Sequence, residues 1–128
     1  QGRWPTKTRT IQDRLLRYET DWGERRVRVD AKGQVARTDF QILEAGEHAT
    51  LLQAALHTGR THQIRAHAQS QGHPILGDTK YGGASGPKEV ARLCLHASRL
   101  VVPIGGDKLD VSAPLEPTMA SIWTELKP

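Results

Sequence analysis

Cysteine is almost absent from this 128-residue chain, and the single Cys94 can form neither an internal disulfide nor a cysteine-rich zinc site. Between Leu93 and Leu95 it is expected to be a buried strand residue. Aromatic residues make up only 5%, so the core has to be aliphatic. No apolar run approaches the roughly 18 residues of a membrane span, and Gln1-Gly2-Arg3-Trp4 does not open a signal peptide. A cytoplasmic location is expected. Repeats, linkers and low-complexity stretches are also missing. With 37% hydrophobic and 25% charged residues, the chain suits one globular unit.

What is present is positive charge, and it is localised. The formal net charge is +4 with a pI near 9.6. Residues 1–28 carry Arg3, Lys7, Arg9, Arg14, Arg17, Arg25, Arg26 and Arg28 against Asp13, Glu19, Asp21 and Glu24. A second basic zone between His57 and Leu100 adds Arg60, Arg65, Lys80, Lys88, Arg92 and Arg99 against Asp78 and Glu89. Such clustering suits a phosphate backbone, and equally a solvated surface.

Periodicity gives a continuous α+β pattern. Ile11, Leu15 and Tyr18 at helical spacing predict a short basic amphipathic helix over Thr10–Tyr18. Arg26–Asp30, a turn at Lys32-Gly33 and Val35–Leu43 read as a β-hairpin. Ala49–Leu56 is an aliphatic strand after a turn at Gly46-Glu47. A helix over Thr61–Gln71 follows, with Thr58 or Thr61 as N-cap, Gly72 past its end, and Ile64, Ala68 and Gln71 inward. Gly82–Pro87 is a flexible loop. Leu93–Val102 is a strand ended by Pro103, Leu109–Ser112 pairs with it across Ile104–Asp107, and a last helix runs from Glu116 or Thr118 to Leu126. Met119 and Trp123 are spaced as a core face of that helix.

The chemistry concentrates in Gly59-Arg60-Thr61-His62-Gln63-Ile64-Arg65. Arg60 falls in the turn before the helix and Arg65 one turn into it, so both guanidiniums can face one anionic group near the positive end of the helix dipole. That is a grip for a polyanion or a carboxylate. His62 and His67 are five apart, which does not align two ligands on one helix face, so no metal is expected. His96, alternating with apolar neighbours, reads as a hydrogen-bonded core histidine, and Asp78 as the cap of a Gly-containing turn.

The block Gly59 to Arg65 resembles, residue for residue, the Gly-Arg-Thr-His-Gln-Ile-Arg motif of the RluA-type pseudouridine synthases. Gly72 to Asp78 with Lys80-Tyr81-Gly82, and Leu93-Cys94-Leu95-His96-Ala97, resemble the two blocks that follow it. The layout is most similar to that of the members acting on large-subunit ribosomal RNA. The resemblance implies an α+β catalytic domain on a mixed, mainly antiparallel sheet, and isomerisation of uridine to pseudouridine in structured RNA. It implies Arg65 as the partner of the catalytic carboxylate, and Arg60, Thr61, His62 and Gln63 as RNA-binding residues. Ile64 and Leu95 would line the uracil pocket, and neither metal nor organic cofactor is implied.

One departure stands out. The family's catalytic Asp belongs to a His-Arg-Leu-Asp segment that does not occur here, and Asp13 in Gln12-Asp13-Arg14-Leu15 is not that motif. Residues 1–128 are therefore expected to be a single partial domain, the C-terminal part of a catalytic domain. The chain alone should be inactive and prone to self-association. Two alternatives are a non-catalytic RNA-binding module, and a phosphodiester or glycosidic hydrolase using His62, Asp78 and His96, which the lack of a carboxylate pair disfavours.

Overall fold

The computed structural model describes residues 1–5, 7–82 and 92–126. Its first strand, β1 (Thr8–Ile11), has three β-branched residues among its four and pairs antiparallel with β4 (Thr38–Ala45), which pairs in turn with β5 (Thr50–Leu56). β4 and β5 join through a tight turn in which Gly46 N–H donates to Ala49 O at 2.8 Å, where the Gly46-Glu47 turn was expected. A separate hairpin pairs β2 (Leu15–Glu19) with β3 (Arg25–Val29) around Gly23, whose φ is +77°.

The helix expected over Thr10–Tyr18 is therefore two strands in two sheets. Ile11 ends one strand and packs with Trp4, Phe40 and Ala68, so aromatic rings fill this cluster where an aliphatic core was expected. Leu15 begins the next and packs with Val27, Ala36, Ala66 and Tyr81. Their spacing of four reflects a crossing between two apolar clusters, not a helical face. The hairpin expected across Lys32-Gly33 is likewise absent, because β3 and β4 belong to different sheets. The turn itself exists, with Gly33 N–H bonded to Asp30 O. Its glycine answers to a different demand: a Cβ at Gly33 would lie 2.4 Å from the Leu15 carbonyl carbon.

α1 (Gln63–Ser70) packs across the sheets and contributes Ala66 to one cluster and Ala68 to the other. It ends as expected, with Gly72 at φ +80° and His73 N–H bonded to Ala68 O. Its start differs. His62 precedes it at φ +50° and caps nothing with its side chain. Thr58 and Thr61 are not caps either: the Thr58 hydroxyl bonds Gln63 Oε1, which also accepts Arg60 N–H. Of the expected inner face, Ala68 is buried and Ile64 and Gln71 are half-buried.

A short 3-10 turn, Thr79–Tyr81, follows the Gly72–Asp78 block, and Asp78 caps it by accepting Tyr81 N–H. Most of the Gly82–Pro87 loop lies outside the described residues. Leu93–Ser98 is not the expected strand: Cys94 N–H bonds Leu76 O, and Leu95 N–H folds back onto Leu93 O, which breaks extended pairing. Cys94 is accordingly half-buried in an irregular segment. Here two motif blocks run side by side, so closely that a Cβ at Gly77 would meet Arg92 O at 1.7 Å.

β6 (Arg99–Ile104) then pairs with β7 (Asp107–Ser112) across Gly105-Gly106. Pro103 sits inside β6 and does not end it, since a two-stranded sheet leaves an open edge where no N–H is needed. The register puts Leu100, Val102, Ile104, Leu109 and Val111 on one face and the Arg99–Asp110 ion pair on the other. α2 (Pro117–Leu126) begins under Glu116, whose carboxylate accepts Thr118 and Met119 N–H. Met119 and Trp123 are half-buried, not core, and Trp123 Nε1–H bonds Glu44. Among the described residues every strand pairing is antiparallel, and the fold is α+β.

Candidate functional site

The Gly59–Arg65 block forms the junction from loop to α1, and its residues point in alternating directions. Gln63 goes inward, is 3% exposed, and uses its whole amide. Its Nε2 donates to Arg37 O and Thr38 Oγ1, while its Oε1 accepts Thr58 O–H and Arg60 N–H. The network continues through fully buried His67. The Asp13 carbonyl can only accept, so His67 Nε2 carries the proton and Nδ1 accepts the Thr38 hydroxyl at 2.8 Å. A satisfied chain of buried bonds thus ties the β1–β2 connection, β4 and α1 to the backbone of the Arg60 loop. Gln63 was expected to face RNA; it is placed where it holds the loop's shape.

Arg65 points the other way and meets Asp78. Its Nε and Nη2 donate to the two carboxylate oxygens at 2.9 and 2.8 Å, a forked pair in which Asp78 is 1% exposed. The Arg65 guanidinium carbon also lies 5.1 Å from the centre of the Tyr81 ring. Its hydrogen bond to Asp78 raises its pKa further, so the charge is permanent. Nη1 is left without a partner among the described residues, and the side chain remains 16% exposed. A guanidinium held on one edge and open on the other can receive a second oxyanion.

Tyr81 links this pair to His62. Its hydroxyl accepts Val27 N–H and meets His62 Nδ1, both at 2.9 Å, and the two rings stand edge to face. Burial lowers the His62 pKa, with the Arg65 charge adding to it, so the imidazole is neutral near pH 7. Burial likewise keeps the Tyr81 phenol protonated. The arrangement that satisfies both has Tyr81 donating to Nδ1 and the His62 proton on Nε2. Such a closed set of contacts can hold His62 in its left-handed conformation, which costs a non-glycine residue about 1–3 kcal/mol.

Arg60 and Arg65 do not converge on one group. Arg60 Nε donates to Val35 O at 2.8 Å, and the residue lines a cleft of about 150 Å³ together with Leu15, Arg17, Val27, Gln34, Gly59 and Thr61. Ile64 and Leu95 are not on that cleft: Ile64 packs on the Trp4 cluster, and Leu95 lies half-buried in the segment beside Gly77. His96 Nε2 contacts Ala113 O at 3.3 Å and shares no hydrogen bond with His62 or Asp78, so the hydrolase trio is not assembled. It is hydrogen-bonded but lies outside both core clusters. Asp78 as the partner of Arg65, and Tyr81 as its platform, were not foreseen. Their contacts bridge 13 to 54 positions, where no periodicity operates.

This chain belongs to the RNA pseudouridylate synthase family, whose model matches residues 5–70. It is 41% identical over 134 aligned residues to the ribosomal large subunit pseudouridine synthase C of Pasteurella multocida, covering 99% of this chain and 41% of that protein. The Haemophilus influenzae protein of the same name is also 41% identical, covering 99% of this chain and 42% of that protein. The solved structure of human RNA pseudouridylate synthase domain containing 1 superposes with a TM-score of 0.77 at 29% identity, over 92% of this chain and 53% of that one. The chain thus spans less than half the length of the two bacterial relatives.

Proposed function

We propose that this chain supplies the arginine side of an active site that isomerises uridine to pseudouridine in structured RNA, 23S ribosomal RNA in the first place, in the cytoplasm. The observation that carries the proposal is Arg65: one edge of its guanidinium is fixed by buried Asp78, and the other, without a partner among the described residues, can take the catalytic carboxylate. A paired carboxylate stays ionised in an apolar setting where an isolated one would take up a proton. The rearrangement breaks the bond from N1 to the ribose carbon and forms one from C5 to the same carbon. C5 gives up its proton and N1 ends protonated. The sum is redox-neutral and calls for no cofactor. The target base has to leave its stack to be reached, and Arg60, Thr61 and the His62 edge of the junction are the proposed contacts to its phosphates. Ile64 and Leu95 remain the proposed uracil contacts.

The family's catalytic Asp segment has no counterpart in residues 1–128, and the shared length with relatives supports a partial domain. The apolar face of β6–β7 supports it too, for Leu100, Ile104, Leu109 and Val111 are all exposed. The rest of the domain would cover it; in the chain by itself that face promotes self-association, which sedimentation over a concentration series tests. Tritium release from RNA labelled at uridine C5 tests the function. A polypeptide extended upstream through the Asp segment should turn over, and residues 1–128 alone should not. Turnover by this chain alone, or by neither, refutes the proposal.

A further inference from the structure

We infer that the cleft between the β2–β3 hairpin and the Gly59–Thr61 loop is a subsite for one phosphodiester of the RNA backbone, held between Arg17 and Arg60. The inference rests on the RNA substrate proposed above and adds an element, the hairpin, that lies outside the motif blocks. Arg17 is on β2, opposite Val27, on the strand face that carries Leu15 and Val27 into the core. The cleft therefore has a rigid floor. Its volume of about 150 Å³ falls below the roughly 300 Å³ at which ligand pockets begin, so it suits a group of a larger ligand and not a free small molecule.

Arg17 and Arg60 are the arginines that line this cleft, and like Arg3, Arg9, Arg14 and Arg25 they are not neutralised by a carboxylate among the described residues. Arg26, Arg28, Arg37, Arg65, Arg92 and Arg99 each have a carboxylate partner, whereas among the described residues neither Arg17 nor Arg60 has one within 4.0 Å. Glu19, the carboxylate on the same strand face as Arg17, is opposite Arg25 in the register. Two cations facing one small cleft repel each other unless an anion enters between them. Arg60 is pre-set for that anion, because the bond from Nε to Val35 O orients the guanidinium and, among the described residues, leaves both terminal nitrogens to bind. Gly59 adds access: the space where its side chain would be is empty, so a ligand can approach the loop backbone. Two guanidiniums, a hydroxyl from Thr61 and an unshielded backbone match a phosphodiester.

The test is binding of this chain to a fluorescently labelled structured RNA over a series of salt concentrations. Arg17→Gln should weaken binding roughly tenfold at low salt, equally for unrelated RNA sequences, and reduce the slope of log K against log salt by about 0.9. Arg17→Lys should retain the slope. If both arginines hold the same phosphate, the Arg17→Gln, Arg60→Gln double variant loses less than the product of the two single losses. Arg17 is solvent-exposed, so thermal melts of the variants should match the parent and exclude misfolding as the cause. Parent-like affinity and slope for Arg17→Gln overturn the subsite while leaving the RNA substrate standing. A parent chain that binds no RNA overturns both.

Discussion

Removing Asp78 is the most direct way to learn what fixes Arg65. In Asp78→Ala the guanidinium loses both forked hydrogen bonds and its counter-charge in a place where its side chain is only 16% exposed. Breaking one side of a buried ion pair typically costs about 3–5 kcal/mol. Some water reaches Arg65, which puts the expected loss near the lower end, about 3 kcal/mol, with a small addition from the lost cap on Tyr81 N–H. Asp78→Asn keeps the cap acceptor but turns an NH₂ toward the guanidinium, and should cost about 2 kcal/mol. Urea denaturation gives the readout. At a slope of about 1.5 kcal/mol per molar, Asp78→Ala should lower the midpoint by about 2 M without changing the slope. A double variant with Arg65→Met should recover part of the loss, since the orphaned charge is gone. A loss below about 1 kcal/mol for Asp78→Ala would mean that Arg65 is held by its Tyr81 contact and not by the carboxylate.

In the enzyme extended through the catalytic Asp segment, Arg65→Lys should slow the chemical step by at least about 100-fold with a much smaller change in RNA affinity, because an ammonium cannot bridge two carboxylates with a fork. Single-turnover rates within a fewfold of the parent would exclude that role. Gly77→Ala and Gly33→Ala should each cost more than about 2 kcal/mol, since the added methyl meets backbone at 1.7 and 2.4 Å, while Gly59→Ala meets nothing and should leave the melting temperature unchanged. Asp39 is held down to about 2 by the Thr10 hydroxyl, then Arg37, with His57 contributing. A depressed carboxylate stabilises above its unfolded pKa and loses that contribution as pH falls through its folded one, so melting temperatures of Asp39→Asn and parent should converge between about pH 4 and 2.

How legible the fold was depended on the range of the interaction. Turns and ends set by neighbouring residues were readable: the Gly46 turn, the Gly72 helix stop, the Gly105-Gly106 hairpin and, to within one residue, the start of α2 at Pro117, expected at Glu116 or Thr118. The stretch from Thr10 to Tyr18 was not, because apolar residues four apart satisfy a helical face and two strands equally well. Only the separation of the Ile11 and Leu15 clusters, made by residues far along the chain, decides between them. Gly33 illustrates the same limit. Its sequence context proposes a hairpin turn, while its lack of a side chain is required by the Leu15 backbone 18 positions away. In the site, Arg65 was readable as an oxyanion grip, but the carboxylate that meets it was assigned to a segment outside the chain. Asp78 was read only as a cap; its Oδ1 serves both the cap and the fork, and Oδ2 completes the fork.

The motif's conformation also explains why a single block carries several unlike residue types. A helix entered through a left-handed residue turns its side chains sharply over a few positions, so adjacent residues face different compartments. Gln63 and Ile64 enter the interior, His62 and Arg65 close on Tyr81 from the surface, and Arg60 and Gly59 open onto the β2–β3 cleft. The inward residues therefore set the spacing between two cationic points that do not share an anion. In the proposed function Arg65 takes a carboxylate and Arg60 a phosphate, and a buried amide stands between them. On this geometry Gln63→Leu should disturb both points at once: it removes the acceptor for Arg60 N–H and the donor to Thr38 while keeping side-chain volume. Each buried group left unsatisfied costs about 1–3 kcal/mol, so the loop can relieve the penalty by shifting toward water. The two arginines are then coupled through the scaffold even though they bond different partners.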